Sequence, residues 1–410
     1  MLDVHLFLNT EPWNLEIVMN DIFFMAWRYL RYHWIKTLVL LASISLVLFL
    51  PLGLQVVVQQ GAETLTSRAE STPLLIGARG SAVDLTLGAL YFREPTVEPV
   101  PYQEVTRVNQ SGLAAGIPLH LRFLAGRHRI IGTTTEYFEF RELTPAAGRW
   151  MALLGECVAG AGAAQKLGLA VGGYVLSTPA GAFDVAGTFP LKMKVVGVLA
   201  PTGTPDDDAV FTDVKTTWVI AGLAHGHMDM AAPEAESGVL KREEGNVVAN
   251  PAVLSYTEIT PDNIDSFHFH GNPAEFPVDA VLAVPNDRKS SIMLRGRYEA
   301  EGTAVQMLVP LRIINSLLET VFSVRDFIVL GSIGVAIATA AITALVFVLS
   351  IRLRRREIET IRKIGGPRRR LWAILFTEIL MVVCGAVIIA AGMTAGVSRL
   401  GGVLIRVMAG

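Results

Sequence analysis

The chain is poor in cysteine and in charge. Cys157 and Cys384 are its two cysteines in 410 residues. So few, so far apart, exclude a disulfide-stapled scaffold, and both read as small buried hydrophobes. Charged residues make up 18% of the chain, below the roughly 25% usual in a soluble domain. A net charge of −2 excludes a generally basic nucleic-acid binder. A phosphate-cradling loop is missing too. Its pattern, G-x-x-x-x-G-K-[ST], is approached only by "GAGAAQKLG" from Gly160 to Gly168. That stretch lacks the glycine before Lys166 and the hydroxyl residue after it. "LLIGARGSAVDL" is glycine-rich but reads as a strand, a turn and a short helix. No Ser-His-Asp or Cys-His set carries a recognisable local signature. The chain therefore reads as a protein without a catalytic centre of its own.

What the chain has is apolar sequence, 51% of its residues. Thr37 to Val58 is uncharged and leucine-rich. Phe327 to Ile351 and Ile379 to Ser398 are uncharged as well. A spanning helix needs about 20 such residues, so each run predicts a transmembrane helix, over 37–58, 327–351 and 371–398. The first is longer than a signal-peptide core and no clear small-residue cleavage site follows it. Residues 1–36 include "DIFFMAWRYLRYHWIK", which mixes aromatics with Arg28, Arg31 and Lys36. This predicts an amphipathic helix on the cytoplasmic membrane surface, in contact with lipid. Met19 and Met25 are alternative starts.

Charge gives the expected orientation. The stretch from Ile351 to Glu378 holds nine Lys/Arg and three acidic residues. Residues 59–326 hold 21 Lys/Arg and 30 Asp/Glu. Basic loops stay cytoplasmic and meet anionic headgroups. The 352–370 connector and the N-terminus are then cytoplasmic, while 59–326 and the 399–410 tail lie outside. Within the connector, Ile358, Ile361 and Ile364 form an apolar stripe among Arg and Glu. Gly365-Gly366 can end that helix and Pro367 can open the next. A short helix held between two spans is shaped to dock in the groove of a partner.

The segment "RRREIETIRKIGGPRRRLWAILFTE" resembles the coupling segment of the MacB/FtsX-type ABC transporter permeases. Arg356, Glu357, Ile358, Ile361, Arg362, Ile364, Gly365 and Glu378 match that pattern, and Gly366 continues its turn. "VVGVLAPTGTPDDDAVFTD" is similar to a strand and acidic turn of the family's periplasmic domain. The order of parts also matches: one span, a large external domain, then the remaining spans. The family has four spans and three are evident here, so the expectation is either a truncated chain or one without the family's last helix.

The resemblance implies an inner-membrane permease subunit that binds no cofactor for hydrolysis itself. A separate ABC ATPase and a second permease, identical or paralogous, are the implied partners, with a periplasmic adaptor as a further one. ATP-driven motion would be delivered through the coupling helix to the external domain, for export or extraction of a peptide, lipoprotein, lipid or drug. A non-transporting scaffold that regulates an envelope enzyme is the alternative, and a zinc-linked envelope system is another.

The fold class expected is α-helical spans with a large extracytoplasmic α+β domain and helical stalks. "LKMKVVGVL", "YVLSTP", "FDVAG", "TTWVIAG" and "PVDAVLAVP" predict strands. "PYQEVTRVNQSG" and "GAGAAQKLGLAVG" predict short helices. Leu311, Ile314, Leu317, Leu318, Val321 and Val324 form a stripe that predicts a helix continuing into the second span. "QQGAETLTSRAE" is its counterpart after the first. "PDDD", Pro205 to Asp208, reads as an exposed turn, with Ca²⁺ coordination as the alternative. Finally, His225 and His227 lie in "HGHMDM" and His268 and His270 in "SFHFHG". Alternate strand residues share a face, so His268 and His270 point one way and Phe267 and Phe269 the other. Two such pairs would supply four nitrogens to Zn²⁺. The bland alternative is a strand edge and a polar loop that happen to carry histidine.

Overall fold

Among the described residues, three helices are long and apolar enough to cross a membrane. The computed structural model describes residues 12–179, 190–226, 239–243, 246–249, 256–300, 304–353, 355, 359, 363 and 368–409. Helix α1, Pro12–Tyr32, precedes α2, Trp34–Glu70. Pro51 sits inside α2 without ending it. The other two long helices are α9, Pro310–Leu353, and α10, Arg368–Ala409. The helix α10 runs on beyond Ser398, where the charge of Arg399 and Arg406 predicted a tail. Those charges stop an apolar run but cost a helix little, since Arg is a good helix former.

The chain divides into two units, Met1–Glu63 with Leu318–Met408, and Thr64–Leu317 with Ala409–Gly410. In the first, Leu40 on α2 and Val382 on α10 are buried together. Ser45 Oγ donates to the Ala386 carbonyl at 3.2 Å, and the Gln60 amide donates to the Ser398 carbonyl at 3.1 Å. A Cβ at Gly385 would lie 3.0 Å from Leu41, so a small residue there sets how closely the two helices approach. Cys384 is exposed on α10, contrary to the reading of both cysteines as buried. It lies on a helix face that no other part of the described chain covers.

The second unit is α+β. Its strands are β1 Leu74–Ala78, β2 Val100–Pro101, β3 Ala114–Ala125, β4 His128–Thr133, β5 Pro145–Gly148, β6 Glu156–Ala159, β7 Tyr174–Leu176, β8 Thr178–Pro179 and β9 Lys192–Leu199. They continue with β10 Ala209–Asp213, β11 Ala224–Gly226, β12 Val239–Glu243, β13 Asn246–Ala249, β14 Phe267–Phe269, β15 Pro277–Val278, β16 Ala280–Pro285 and β17 Val305–Leu308. Its helices are α3 Ala82–Tyr91, α4 Gln103–Gln110, α5 Glu136–Phe140, α6 Ala161–Leu167, α7 Val214–Ile220 and α8 Arg288–Ala300. The main sheet runs β17-β1-β16-β3-β4-β10-β6-β9-β5. The β10–β4 and β6–β9 pairs are parallel, and the rest of that path is antiparallel.

Two apolar clusters fill this unit. One gathers Ile76, Val108, Trp218, Val278 and Val281, the other Ile130, Cys157, Met193, Val195 and Val210. The strands expected at "LKMKVVGVL", "YVLSTP" and "PVDAVLAVP" form, and so do the helices at 103–110 and 161–167. "FDVAG" lies outside the described residues. "TTWVIAG" is a correction: it forms α7, not a strand. The Asp213 side chain caps the helix by accepting from Lys215 N at 2.8 Å. Val214 and Thr216 to Ile220 are all buried. A short helix buried except at Lys215 shows little helical period, so its apolar run looks like a strand.

Candidate functional site

The C-terminal end of α2 is held by a buried polar network. In the described second unit, Arg68 is about one-twentieth exposed and Asp206 is 1% exposed. Arg68 Nη1 donates to Asp206 Oδ2 at 2.6 Å and Nη2 to Oδ1 at 3.0 Å. The guanidinium also donates to the Leu90 carbonyl at 2.5 Å and to the Tyr137 hydroxyl at 3.0 Å. Tyr137 in turn donates to Asp206 Oδ1 at 2.6 Å, and Thr204 donates to Oδ2 at 2.8 Å. Phe92 lies 5.5 Å from the guanidinium carbon. The fork of arginine matches a carboxylate in two parallel bonds.

The protonation of this network follows from its burial and its charges. Burial works against both ions. Tyr137 and Asp206 reverse that for Arg68 and hold its pKa above the usual value. Arg68 and the two hydroxyl donors do the same for Asp206 and hold its carboxyl below the usual range. Burial pushes the Tyr137 hydroxyl up. At neutral pH the cluster is therefore Arg⁺, Asp⁻ and neutral tyrosine.

Neighbouring groups complete a collar around this end of α2. The Tyr91 hydroxyl donates to the Leu65 carbonyl at 2.7 Å. Burial pushes that hydroxyl up to about 12, so it stays a donor. Arg141 donates to Ser71 Oγ at 2.9 Å and Thr72 Oγ1 at 2.8 Å.

Asp206 belongs to "PDDD", a 3-10 turn at Pro205–Asp208. The exposed-turn reading is thus corrected for its first carboxylate, and the other two also have partners within the protein. Asp207 accepts from Thr202 N at 2.8 Å and Gly203 N at 2.7 Å. Asp208 pairs with Lys166 Nζ at 2.8 Å. The glycine-rich "GAGAAQKLG" packs on this same turn. A Cβ at Gly160 would fall 2.2 Å from the Asp206 carbonyl oxygen. Gly160 thus lets the start of α6 pack directly on the chain's own acidic turn.

The second constellation is histidine. Strands β11 and β14 pair antiparallel with His225 directly opposite His268. His268 and His270 share the outer face, while Phe267 and Phe269 pack against the apolar clusters. His225 Nε2 and His270 Nε2 stand 3.3 Å apart. One ligand atom from each of His225, His268 and His270 lies within 4.8 Å of the others. His227 lies outside the described residues.

The expected coupling residues Arg356, Glu357, Ile358, Ile361, Arg362, Ile364, Gly365 and Gly366 also lie outside the described residues. Glu378, which matches the early glutamate of the following span, is 2% exposed on α10. Sequence reasoning passed over Arg68 and Tyr137 and read Asp206 only as part of an exposed turn. The available signal was one arginine in "LTSRAE" at the end of a long apolar helix. Its partner lies 138 residues away, and no local pattern links them.

Comparisons with known proteins bear on both units. Residues 42–243 match the MacB-like periplasmic core domain family. Residues 329–405 match the FtsX-like permease C-terminal family. The crystal structure of the periplasmic region of MacB from Actinobacillus actinomycetemcomitans aligns at 9% identity and a TM-score of 0.34. That alignment covers 62% of this chain and 97% of that one. The extracellular domain of the noncanonic ABC-type transporter YknZ from Gram-positive bacteria aligns at 10% identity and a TM-score of 0.31, covering 57% and 98%. No curated protein matches the chain.

Proposed function

The chain belongs to the MacB/FtsX-like family, and from that premise we propose that it is the permease subunit of an ABC transporter in a bacterial inner membrane. Its N-terminus and the 352–370 connector are cytoplasmic in this reading, and the α+β unit is periplasmic. A separate ATPase subunit supplies the hydrolysis. The apolar stripe of Ile358, Ile361 and Ile364 seats in a groove of that ATPase, and Arg356, Glu357 and Arg362 flank it. A second permease, identical or paralogous, completes the complex. The cargo is an envelope substrate such as a peptide, lipoprotein, lipid or drug. A periplasmic adaptor is a further partner.

The observation that carries the mechanism is the bidentate Arg68–Asp206 pair. Helix α2 is continuous from Trp34 to Glu70. A helix rises about 1.5 Å per residue and is stiff along its axis. A displacement applied to it reaches Arg68, and a buried ion pair with further hydrogen bonds resists slipping. The pair therefore converts movement of the helix into movement of the sheet that carries the acidic turn. The Gly365-Gly366 turn plays the complementary part at the cytoplasmic side, where motion enters.

The test is co-purification of the full chain with a candidate ABC ATPase from the same genome, followed by an ATPase assay of the complex. Stable association, with hydrolysis altered by the permease, is the expected result. A chain that is correctly inserted yet neither retains an ATPase nor changes its activity overturns the proposal. That outcome favours the scaffold reading.

A further inference from the structure

We propose that His225, His268 and His270 form a binding site for one divalent transition-metal ion of the zinc class on the outer face of the α+β unit. The proposal stands apart from the transport reading, because no part of it depends on the membrane helices.

The backbone builds the site. His225 and His268 are a directly opposed cross-strand pair, so their side chains leave the two strands together. His270 lies two residues along β14 and returns to the same face. Its own backbone N–H donates to the Leu223 carbonyl at 2.9 Å, which fixes it beyond the end of the strand. The three rings face one another, with centroids 5.2 Å apart for His225–His268, 4.5 Å for His225–His270 and 4.8 Å for His268–His270. From below, Phe267 and Phe269 pack into the core and anchor β14. At Gly226 a Cβ would stand 2.6 Å from the Phe267 ring, so the close crossing of the strands requires glycine there.

One nitrogen pair already stands at the spacing of a coordination sphere, and the set of three gathers within 4.8 Å. Zinc–nitrogen bonds are about 2.0–2.1 Å, so two ligands of a tetrahedral ion stand about 3.3 Å apart. His225 Nε2 and His270 Nε2 already stand at 3.3 Å. His268 Nδ1 lies 3.1 Å from the Ser266 carbonyl oxygen. A carbonyl oxygen can only accept, so in that contact Nδ1 carries the proton. That carbonyl is the outer partner which metal-bound histidines generally have.

Ligand chemistry selects the ion. Three imidazoles suit Zn²⁺, Cu²⁺, Co²⁺ or Ni²⁺, whereas Ca²⁺ and Mg²⁺ take oxygen ligands. Three protein nitrogens leave a fourth tetrahedral position for water or for a group on a partner.

The experiment uses the tag-free full chain in detergent, stripped of metal with a chelator and titrated with Zn²⁺ by calorimetry and with Co²⁺ by visible absorption. One Zn²⁺ per chain is expected, with the intense visible bands of tetrahedral Co²⁺. His268→Ala/His270→Ala should abolish stoichiometric binding and those bands. His225→Ala should weaken Zn²⁺ at least as much as the roughly 10–100-fold that loss of an outer partner costs. His225 and the two exposed histidines are peripheral to the core, and an unchanged melting curve without metal verifies the fold of each variant. The single variant His270→Ala serves where the double one does not fold. No binding by the native chain, or equal binding by the His268→Ala/His270→Ala chain, overturns the proposal. Loss of binding only in His227→Ala places the ion elsewhere and overturns it as well.

Discussion

Arg68 and Asp206 form a buried bidentate ion pair across 138 residues, with contacts of 2.6 and 3.0 Å. The arginine lies near the end of a 37-residue helix, and the aspartate lies in a four-residue turn. Neither residue has a function in isolation. Together they join a long apolar helix to the acidic turn beside the main sheet, and removing either leaves the other charged and buried.

Asp206→Asn should therefore be strongly destabilising. Breaking a buried pair by removing one charge costs about 3–5 kcal/mol. Denaturant unfolding of the purified full chain, followed through the α+β unit, measures it. A loss under about 1 kcal/mol would show that Arg68 finds other partners and that the latch is weak. Arg68→Lys keeps the charge but loses the fork, so it should be intermediate.

The same pair sets an acid limit. The folded-state pKa of Asp206 is lowered, so its stabilisation is complete above the ordinary value of 3.8. It is lost as pH falls below that value, because the unfolded chain then binds a proton that the folded chain refuses. Melting temperatures between pH 5 and pH 3 should fall more steeply for the native chain than for Asp206→Asn. Parallel curves would contradict it.

His120 gives a second, milder pH dependence. Burial lowers its pKa from 6.5, Asp279 acts against that and Arg122 acts with it. Its Nδ1 is bonded to Thr217 Oγ1 at 2.8 Å. Stability should be full above pH 6.5 and begin to fall below it, as the unfolded ring charges and the folded one does not. The slope is at most about 1.4 kcal/mol per pH unit for one proton. His120→Gln should lose this component of the slope, whatever it does to stability at pH 8. An unchanged slope would assign the dependence to another group.

Gly160→Ala should destabilise the α+β unit by more than about 1 kcal/mol, since its Cβ would meet the Asp206 carbonyl oxygen at 2.2 Å and backbone, not a flexible side chain, must move. Thermal melts compare it with Gly168→Ala, where the surroundings are open. At Gly168 the cost should come from its φ of +65° alone. Equal tolerance at Gly160 would mean that the turn yields freely.

If the connector docks on an ATPase as proposed, Ile361→Asp should abolish that association while leaving membrane insertion intact, because a carboxylate buried in an apolar groove without a partner costs several kcal/mol. Unchanged co-purification would leave the connector with only a topological role. A reporter fused after residue 58 should report an external position and one at Arg362 a cytoplasmic one.

The long apolar helices were legible in the sequence because each is a local property. Uncharged runs such as Thr37 to Val58 need only length and composition to be read. The strands β9 and β16 were legible for a similar reason, as β-branched runs closed by turn residues. Helix α7 was not, because burial of every residue but Lys215 weakens the period that distinguishes a helix. The histidines fall between. Alternation alone put His268 and His270 on one face, but only the β11–β14 register brought His225 to them. The latch was wholly a matter of tertiary structure. The charge on Asp206 reads as solvent-seeking, and what makes it buried is a guanidinium placed by folding at hydrogen-bond distance. Sequence alone determined which segments are apolar, which are regular and which family the chain resembles. Only the folded structure decided which charges are paired and which nitrogens meet, because those facts depend on contacts between residues far apart in the chain.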